Sequence, residues 1–197
     1  MVPAEAEAVL AFWFAPANPA TTTDAPFAER PEWFGKDAAF DGTIRTRFGA
    51  LIAQALAGGL GDWTTTARGS LARVIVLDQL TRNAFRDTPD AFAGDARALA
   101  TADAAIARGF DRELAPMERW FLYMPFVHSE TIDDQERSVK LFRALADETG
   151  LRSPLPWAER HAGVIRRFGR FPHRNAILQR ESTPEEIEFL RTPGSRF

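Results

Sequence analysis

The feature that most constrains this chain is the recurrence of apolar residues every three or four positions, which is the period of an α-helix. The clearest case lies within residues 37–57, where the apolar positions are Phe40, Ile44, Phe48, Leu51, Ile52 and Ala55. No segment of four to eight residues alternates convincingly between apolar and polar side chains, as a half-buried strand would. The sequence therefore predicts an all-α protein.

Prolines and glycines divide the chain into about eight predicted helices. They span residues 4–14, 37–57, 68–81, 91–108, a stretch opened by Pro116, 131–149, 156–168, and a last helix beginning at Thr183-Pro184. At the start of the last helix, Thr183 and Glu186 can form a capping box. Residues 15–31 are predicted to be a loop and 192–197 a tail. Because several connections are short, we expect antiparallel hairpins forming a tetratricopeptide-like α-α superhelix, in a single domain over residues 1–197. No clear 34-residue consensus is present, so a compact irregular bundle is the alternative.

Composition narrows the function classes. The net charge of −3 argues against nucleic-acid or membrane binding through bulk electrostatics. The chain has no cysteine, which excludes disulfides and thiolate chemistry. No apolar run is long enough to span a bilayer, and Glu5 and Glu7 are unlike the basic start of a signal peptide. We therefore expect a soluble, cytoplasmic, bacterial-type protein with neither nucleic-acid nor membrane partners.

A carboxylate interrupts the apolar face of the third predicted helix. Leu71, Val74 and Ile75 define that face, and Asp78 continues it, with Arg82 one turn later. Residues four apart on a helix are neighbours, so an Asp78–Arg82 ion pair is expected. Two interpretations stay open: a buried pair that fixes helix packing, or a carboxylate and guanidinium lining a groove.

The fifth predicted helix carries Pro125, which we expect to kink or end it. The triplet His128-Ser129-Glu130 would then lie at a helix end, near the surface. Ser129 or Thr131 can cap the next helix, which leaves His128 and Glu130 without a structural explanation.

Residues 160–180 contain two histidines and many arginines but no carboxylate. His161 falls on the inward face of its helix, where a satisfied core histidine and a ligand are both possible. Arg170, His173 and Arg174 follow the predicted helix end at Gly169. They can either stabilise the helix dipole or clamp a phosphate or carboxylate.

Known catalytic and cofactor motifs are missing from the sequence. There is no glycine-rich phosphate loop, nucleophile elbow or deaminase signature. The histidines and carboxylates do not have the spacing of a helical metal site. We expect no metal and no cofactor.

The same segments resemble a bacterial family catalogued as domain of unknown function 924. The resemblance is carried by residues 77–83 and 85–86, 121–126, 128–130, 135–136, 167–175 and 182–186, with Trp33-Phe34 nearer the start. One departure is Leu80-Thr81, where the family pattern has a Phe-Pro pair. The resemblance implies a tetratricopeptide-like helical fold and brings no activity, substrate or catalytic residues.

Three functional hypotheses follow. The first is a protein that binds an anionic small molecule or acidic peptide in a concave polar groove. That groove would be lined by Asp78, Arg82, Tyr123, His128, Glu130, His161, Arg170, His173 and Arg174. The second is an enzyme acting on an anionic substrate, with His128 or His173 as the base, oriented by Glu130 or Asp78. The third is a polar network that stabilises the fold without a ligand.

Overall fold

A computed structural model describes residues 1–15 and 29–195, and within these ranges the chain is helical and has no strand. The helices are α1 (Ala4–Phe14), α2 (Pro31–Phe34), α3 (Ala38–Leu56), α4 (Ala67–Val74), α5 (Thr81–Ala84), α6 (Asp95–Ala107), α7 (Pro116–His128), α8 (Ile132–Thr149), α9 (Pro154–Phe168) and α10 (Pro184–Leu190). A π-helical segment, Ile75–Leu80, connects α4 to α5, and short 3₁₀ helices lie at Gly61–Thr65, Pro89–Phe92, Phe110–Glu113 and Pro172–Arg174. The prediction of an all-α fold is confirmed.

Local sequence signals explain where several helices begin and end. The Asp37 carboxylate accepts hydrogen bonds from the backbone N–H groups of Ala39 and Phe40 and so caps α3. Thr183 and Glu186 form a reciprocal capping box at the start of α10, as the sequence predicted. Helix α9 ends at Gly169, which has a φ of 68°, a conformation that glycine adopts without strain.

Three predicted segments differ from the structure. The helix predicted over residues 68–81 is regular only to Val74, because the backbone then passes into the π-helical segment. The helix predicted from residue 91 begins at Asp95, after a 3₁₀ turn. The prediction that Pro125 could end its helix is wrong, because α7 continues past it to His128. Most of the predicted loop 15–31 lies outside the described residues, and its last residue, Pro31, opens α2.

The chain divides into two compact units. The first comprises Met1–Arg86 and Asp90–Pro125, and the second comprises Asp87–Pro89 together with the chain from Phe126 onward. In the first unit α4 packs against α1 and α6, while α3 packs against the π-helical segment and α5.

Aromatic side chains form much of the core of the first unit. Trp13 is fully buried, and its ring meets those of Trp33 and Phe121 at centroid distances of 6.2 and 5.5 Å. The indole N–H of Trp33 donates to the Trp13 carbonyl over 3.0 Å. Arg30 donates to the carbonyls of Phe12 and Trp13, which are among the last acceptors of α1. The end of α1 is therefore both packed and hydrogen-bonded.

In the second unit α8 and α9 pack closely against each other and are joined by the short connection 150–153, as in a helical hairpin. Phe142, Leu145 and Ala162 are among their buried residues. The Gln135 amide donates to the carbonyls of Phe126, Val127 and Ser129, so one side chain satisfies acceptors at the end of α7. No helix among the described residues is long and apolar enough to cross a membrane.

Candidate functional site

Asp78 lies on the π-helical segment of the first unit and is completely buried. The predicted ion pair with Arg82 is present, at 3.5 Å between Oδ1 and Nη2. The same Nη2 lies closer to Asp95, at 2.7 Å, and the amide of Gln79 donates to Asp78 Oδ2. The contacts with Arg82 and Gln79 offset the cost of removing the Asp78 carboxylate from water.

Tyr123, the third predicted site residue in the first unit, is also part of a buried network. Its hydroxyl donates to Asp111 over 2.7 Å and accepts from Arg119 over 3.3 Å. Burial raises the pKa of the Tyr123 phenol, and the hydrogen bond to Asp111 adds to that shift. The hydroxyl therefore stays protonated at neutral pH and serves as a donor to Asp111.

The other six predicted site residues, His128, Glu130, His161, Arg170, His173 and Arg174, all lie in the second unit. There, Arg170 already holds a carboxylate of the chain itself. Its Nε and Nη2 donate to the two oxygens of Glu186 over 2.7 and 2.8 Å. Thr183 N–H and the Asn175 amide also donate to Glu186, which is only 2% exposed. The hydrogen bonds, that from Arg170 foremost, lower the pKa of Glu186 to about 2.

Glu130 is held in a similar way, by Arg180. Arg180 Nη1 and Nη2 donate to its two oxygens over 2.7 and 3.0 Å, and Phe171 N–H donates over 2.7 Å. Burial opposes ionisation of Glu130, but the bonds from Arg180 and Phe171 outweigh it and lower its pKa. Both oxygens of Glu130 therefore accept hydrogen bonds from Arg180, and its role in orienting a catalytic histidine stays a prediction, as does the enzyme hypothesis.

Three of the remaining predicted residues, His161, His173 and Arg174, meet around the ring of Phe171, which is fully buried, and the fourth, His128, contacts Arg174 through its backbone carbonyl. His161 lies edge-on to that ring and His173 is tilted towards it, each with a centroid distance of 5.6 Å. The Arg174 guanidinium lies 4.5 Å from the ring centroid, and its Nη2 donates to the His128 carbonyl over 2.9 Å. We call His128, His161, His173 and Arg174 the basic cluster.

His161 is the most perturbed member of the basic cluster. It is 8% exposed, and its Nδ1 lies 2.7 Å from the Trp157 carbonyl. Burial, reinforced by the nearby charges of His128, His173 and Arg174, lowers the pKa of His161 to about 3. The ring is therefore neutral at physiological pH. With Nδ1–H donating to Trp157, Nε2 carries the lone pair.

Sequence reasoning missed three residues that hold this region together through hydrogen bonds. They are Gln135, Arg180 and Glu186, the last of which is the buried partner of Arg170. Gln135 and Glu186 fall within the segments that carry the family resemblance, while Arg180 belongs to the arginine-rich stretch. Their pairings could not be read from spacing, because Arg180 and Glu130 are 50 residues apart. Among the described residues, no group of three histidines or carboxylates could hold a metal ion.

Comparison with known proteins agrees with the sequence resemblance. The profile of a bacterial protein family of unknown function, DUF924, matches residues 9–194. A solved structure of a protein of unknown function from Agrobacterium tumefaciens is 41% identical in sequence, with a TM-score of 0.81. The similarity covers 95% of this chain and 97% of that one. No curated protein matches the chain significantly. The chain therefore belongs to the DUF924 family of bacterial proteins.

Proposed function

We propose that this protein binds an anionic small molecule at the basic cluster of its second unit. The observation that carries the proposal is the convergence of His161, His173 and Arg174 on the single ring of Phe171. The Arg174 guanidinium, together with neighbouring imidazole N–H donors and a buried aromatic ring, suits a ligand that combines a carboxylate or phosphate with an apolar part.

Arginine side chains are concentrated around the basic cluster, which suits an anion. Arg170 is paired with Glu186, and Arg180 with Glu130. Arg174 contributes a third guanidinium, whose charge also helps to lower the pKa of Glu130. His128 and His173 are only partly buried and add further cationic character whenever they are protonated.

Two predicted binding residues take structural roles in this proposal. Arg170 and Glu130 each use paired, charge-assisted hydrogen bonds to hold another part of the second unit. The polar-network hypothesis therefore accounts for these two residues. The ligand proposal rests on the basic cluster alone.

The proposal is tested by thermal unfolding of the full chain in the presence of inorganic phosphate, succinate, citrate or an oligoglutamate peptide. Sodium chloride at matched ionic strength corrects for screening. A ligand present at about 100 times its dissociation constant adds about 2.7 kcal/mol of stability, which is readily seen as a higher melting temperature.

Variants locate the binding. His173→Gln removes a partly buried imidazole of the cluster, and we expect it to weaken the ligand-induced shift strongly. Arg152→Ala, an exposed basic residue of the same unit, is the matched control and should leave the shift unchanged. Equal shifts in wild type and His173→Gln would reject the basic cluster as the binding site. A response confined to the oligoglutamate would replace the small molecule with an acidic peptide.

A further inference from the structure

The first unit contains an arginine-lined pocket that the sequence did not indicate. It lies between α4, α6 and the 3₁₀ helix Gly61–Thr65 and has a volume of about 210 Å³. Its polar lining consists of Thr64, Ser70, Arg73, Arg97, Thr101 and Arg108. None of these residues belongs to the basic cluster, which lies in the other unit.

The pocket exists because one stripe of α6 combines long cationic and very small side chains. Arg97, Thr101 and Arg108 lie at intervals that return to one face of a helix. Alanines at positions 100, 104 and 105 line the pocket between them and leave space above the helix. Arg73 reaches the same space from α4 and donates to the Thr101 hydroxyl over 3.0 Å.

The three arginines are not neutralised by the described part of the chain. No carboxylate in residues 1–15 or 29–195 forms an ion pair with Arg73, Arg97 or Arg108. Burial, together with the positive charge of Arg97, lowers the pKa of Arg73. Arg73 is half-buried while Arg97 and Arg108 are exposed, and an anion bound between them would favour the charged form of Arg73.

Most of the guanidinium donors in this pocket are also available. Each guanidinium carries five N–H groups. Arg73 uses one on Thr101, and Arg108 uses one on the Thr64 carbonyl, at 2.7 Å. The Arg73 Nε is buried and has no hydrogen-bond acceptor among the described residues. This N–H is therefore able to donate to an acceptor that enters the pocket.

The hydroxyl groups of the pocket are not available as hydrogen-bond donors to a ligand. Thr64, Ser70 and Thr101 all donate to backbone carbonyls, so their protons are already engaged. Recognition of a ligand in this pocket therefore depends on the guanidinium groups. Arg108 is held in place by its bond to Thr64 and by stacking at 4.2 Å over the ring of Phe110.

We propose that this pocket binds a phosphate group through Arg73, Arg97 and Arg108. Three guanidinium groups match a phosphate dianion better than a single carboxylate, in both charge and number of acceptor oxygens. The pocket is smaller than the range of about 300–1,000 Å³ typical of sites for drug-sized ligands, which favours a compact group. This site is independent of the one proposed above and uses different residues.

The test follows the Arg73 Nε–H signal by ¹H–¹⁵N NMR while inorganic phosphate is added to the full chain. Because this N–H has no acceptor among the described residues, phosphate binding should shift its signal saturably. Arg97→Ala and Arg108→Ala each remove an exposed guanidinium and should weaken phosphate binding about tenfold or more. Arg112→Ala, an exposed arginine of the same unit outside the pocket, should bind as wild type does.

The outcomes separate the possibilities. A fixed Arg73 signal at high phosphate, or unchanged binding in both Arg97→Ala and Arg108→Ala, would overturn the proposal, as would succinate binding as tightly as phosphate. Tighter binding of glycerol phosphate than of inorganic phosphate would assign the site to phosphorylated metabolites, and the reverse order to free phosphate. His173→Gln should leave the Arg73 titration unchanged, so failure at one site is distinguishable from failure at the other.

Discussion

Acidification should destabilise this protein through His161. The folded protein holds the pKa of this imidazole at about 3, against an ordinary value of 6.5, so folding excludes a proton that the unfolded chain binds. The stabilising effect of the neutral ring is therefore complete above about pH 6.5 and is lost as the pH falls from there towards 3. At about pH 5 the unfolded chain binds this proton and the folded protein does not. Because pH 5 lies roughly 1.5 units below the pKa in the unfolded chain, the free energy of unfolding falls by about 2 kcal/mol.

The assay is urea unfolding of wild type and His161→Gln at about pH 7.5 and about pH 5. Glutamine keeps an N–H donor for the Trp157 carbonyl but does not titrate. Subtracting the loss of stability in the variant from that in wild type cancels the contribution of the other titrating groups. The difference should be about 2 kcal/mol. Equal losses in the two proteins would show that His161 titrates normally and would refute the reasoning.

Two further pairs of substitutions test the local structure. Glu186→Gln should lower the free energy of unfolding by about 3 kcal/mol, because it removes the buried charge that holds Arg170. The control Glu185→Gln, at an exposed neighbouring residue, should change it by less than about 0.5 kcal/mol. Equal effects of the two substitutions would contradict the pairing of Glu186 with Arg170. Gly94→Ala should destabilise the protein by more than about 2 kcal/mol, since a Cβ there would collide with a backbone carbonyl of the π-helical segment. The control Gly49→Ala lies in open space within α3 and should stabilise the protein by about 0.5–1 kcal/mol. Chemical denaturation measures both pairs, and a neutral Gly94→Ala would contradict the close approach.

The sequence predicts the helices well where helical spacing and capping residues agree. The α3 and α8 predictions came within a residue or two of the observed ends, and the capping box at Thr183 was correct. The π-helical segment was not predicted, because it depends on hydrogen bonds five residues apart. Both the backbone N–H and the hydroxyl of Thr81 donate to the Val76 carbonyl, a pairing that apolar periodicity does not reveal.

The candidate site was only partly predictable, for a related reason. The sequence showed that Arg170 and Glu130 are charged groups in need of partners. It could not show that Glu186 and Arg180 are those partners, since neither pair follows a local spacing rule. The pocket at Arg73 was missed because its signal is a stripe of alanines between arginines, which on an isolated helix resembles an ordinary solvated face.

The most direct test of anion binding at the basic cluster is NMR of the histidine rings. The chain contains only three histidines, His128, His161 and His173, and all belong to the basic cluster, so every histidine ring signal reports on it. The protein is titrated with the anion that raises its melting temperature most, at constant pH and ionic strength. Binding as proposed predicts saturable shifts of the His173 and His128 signals, with a dissociation constant equal to that from thermal unfolding. Histidine signals that stay fixed while the protein is saturated with that anion would contradict the proposal.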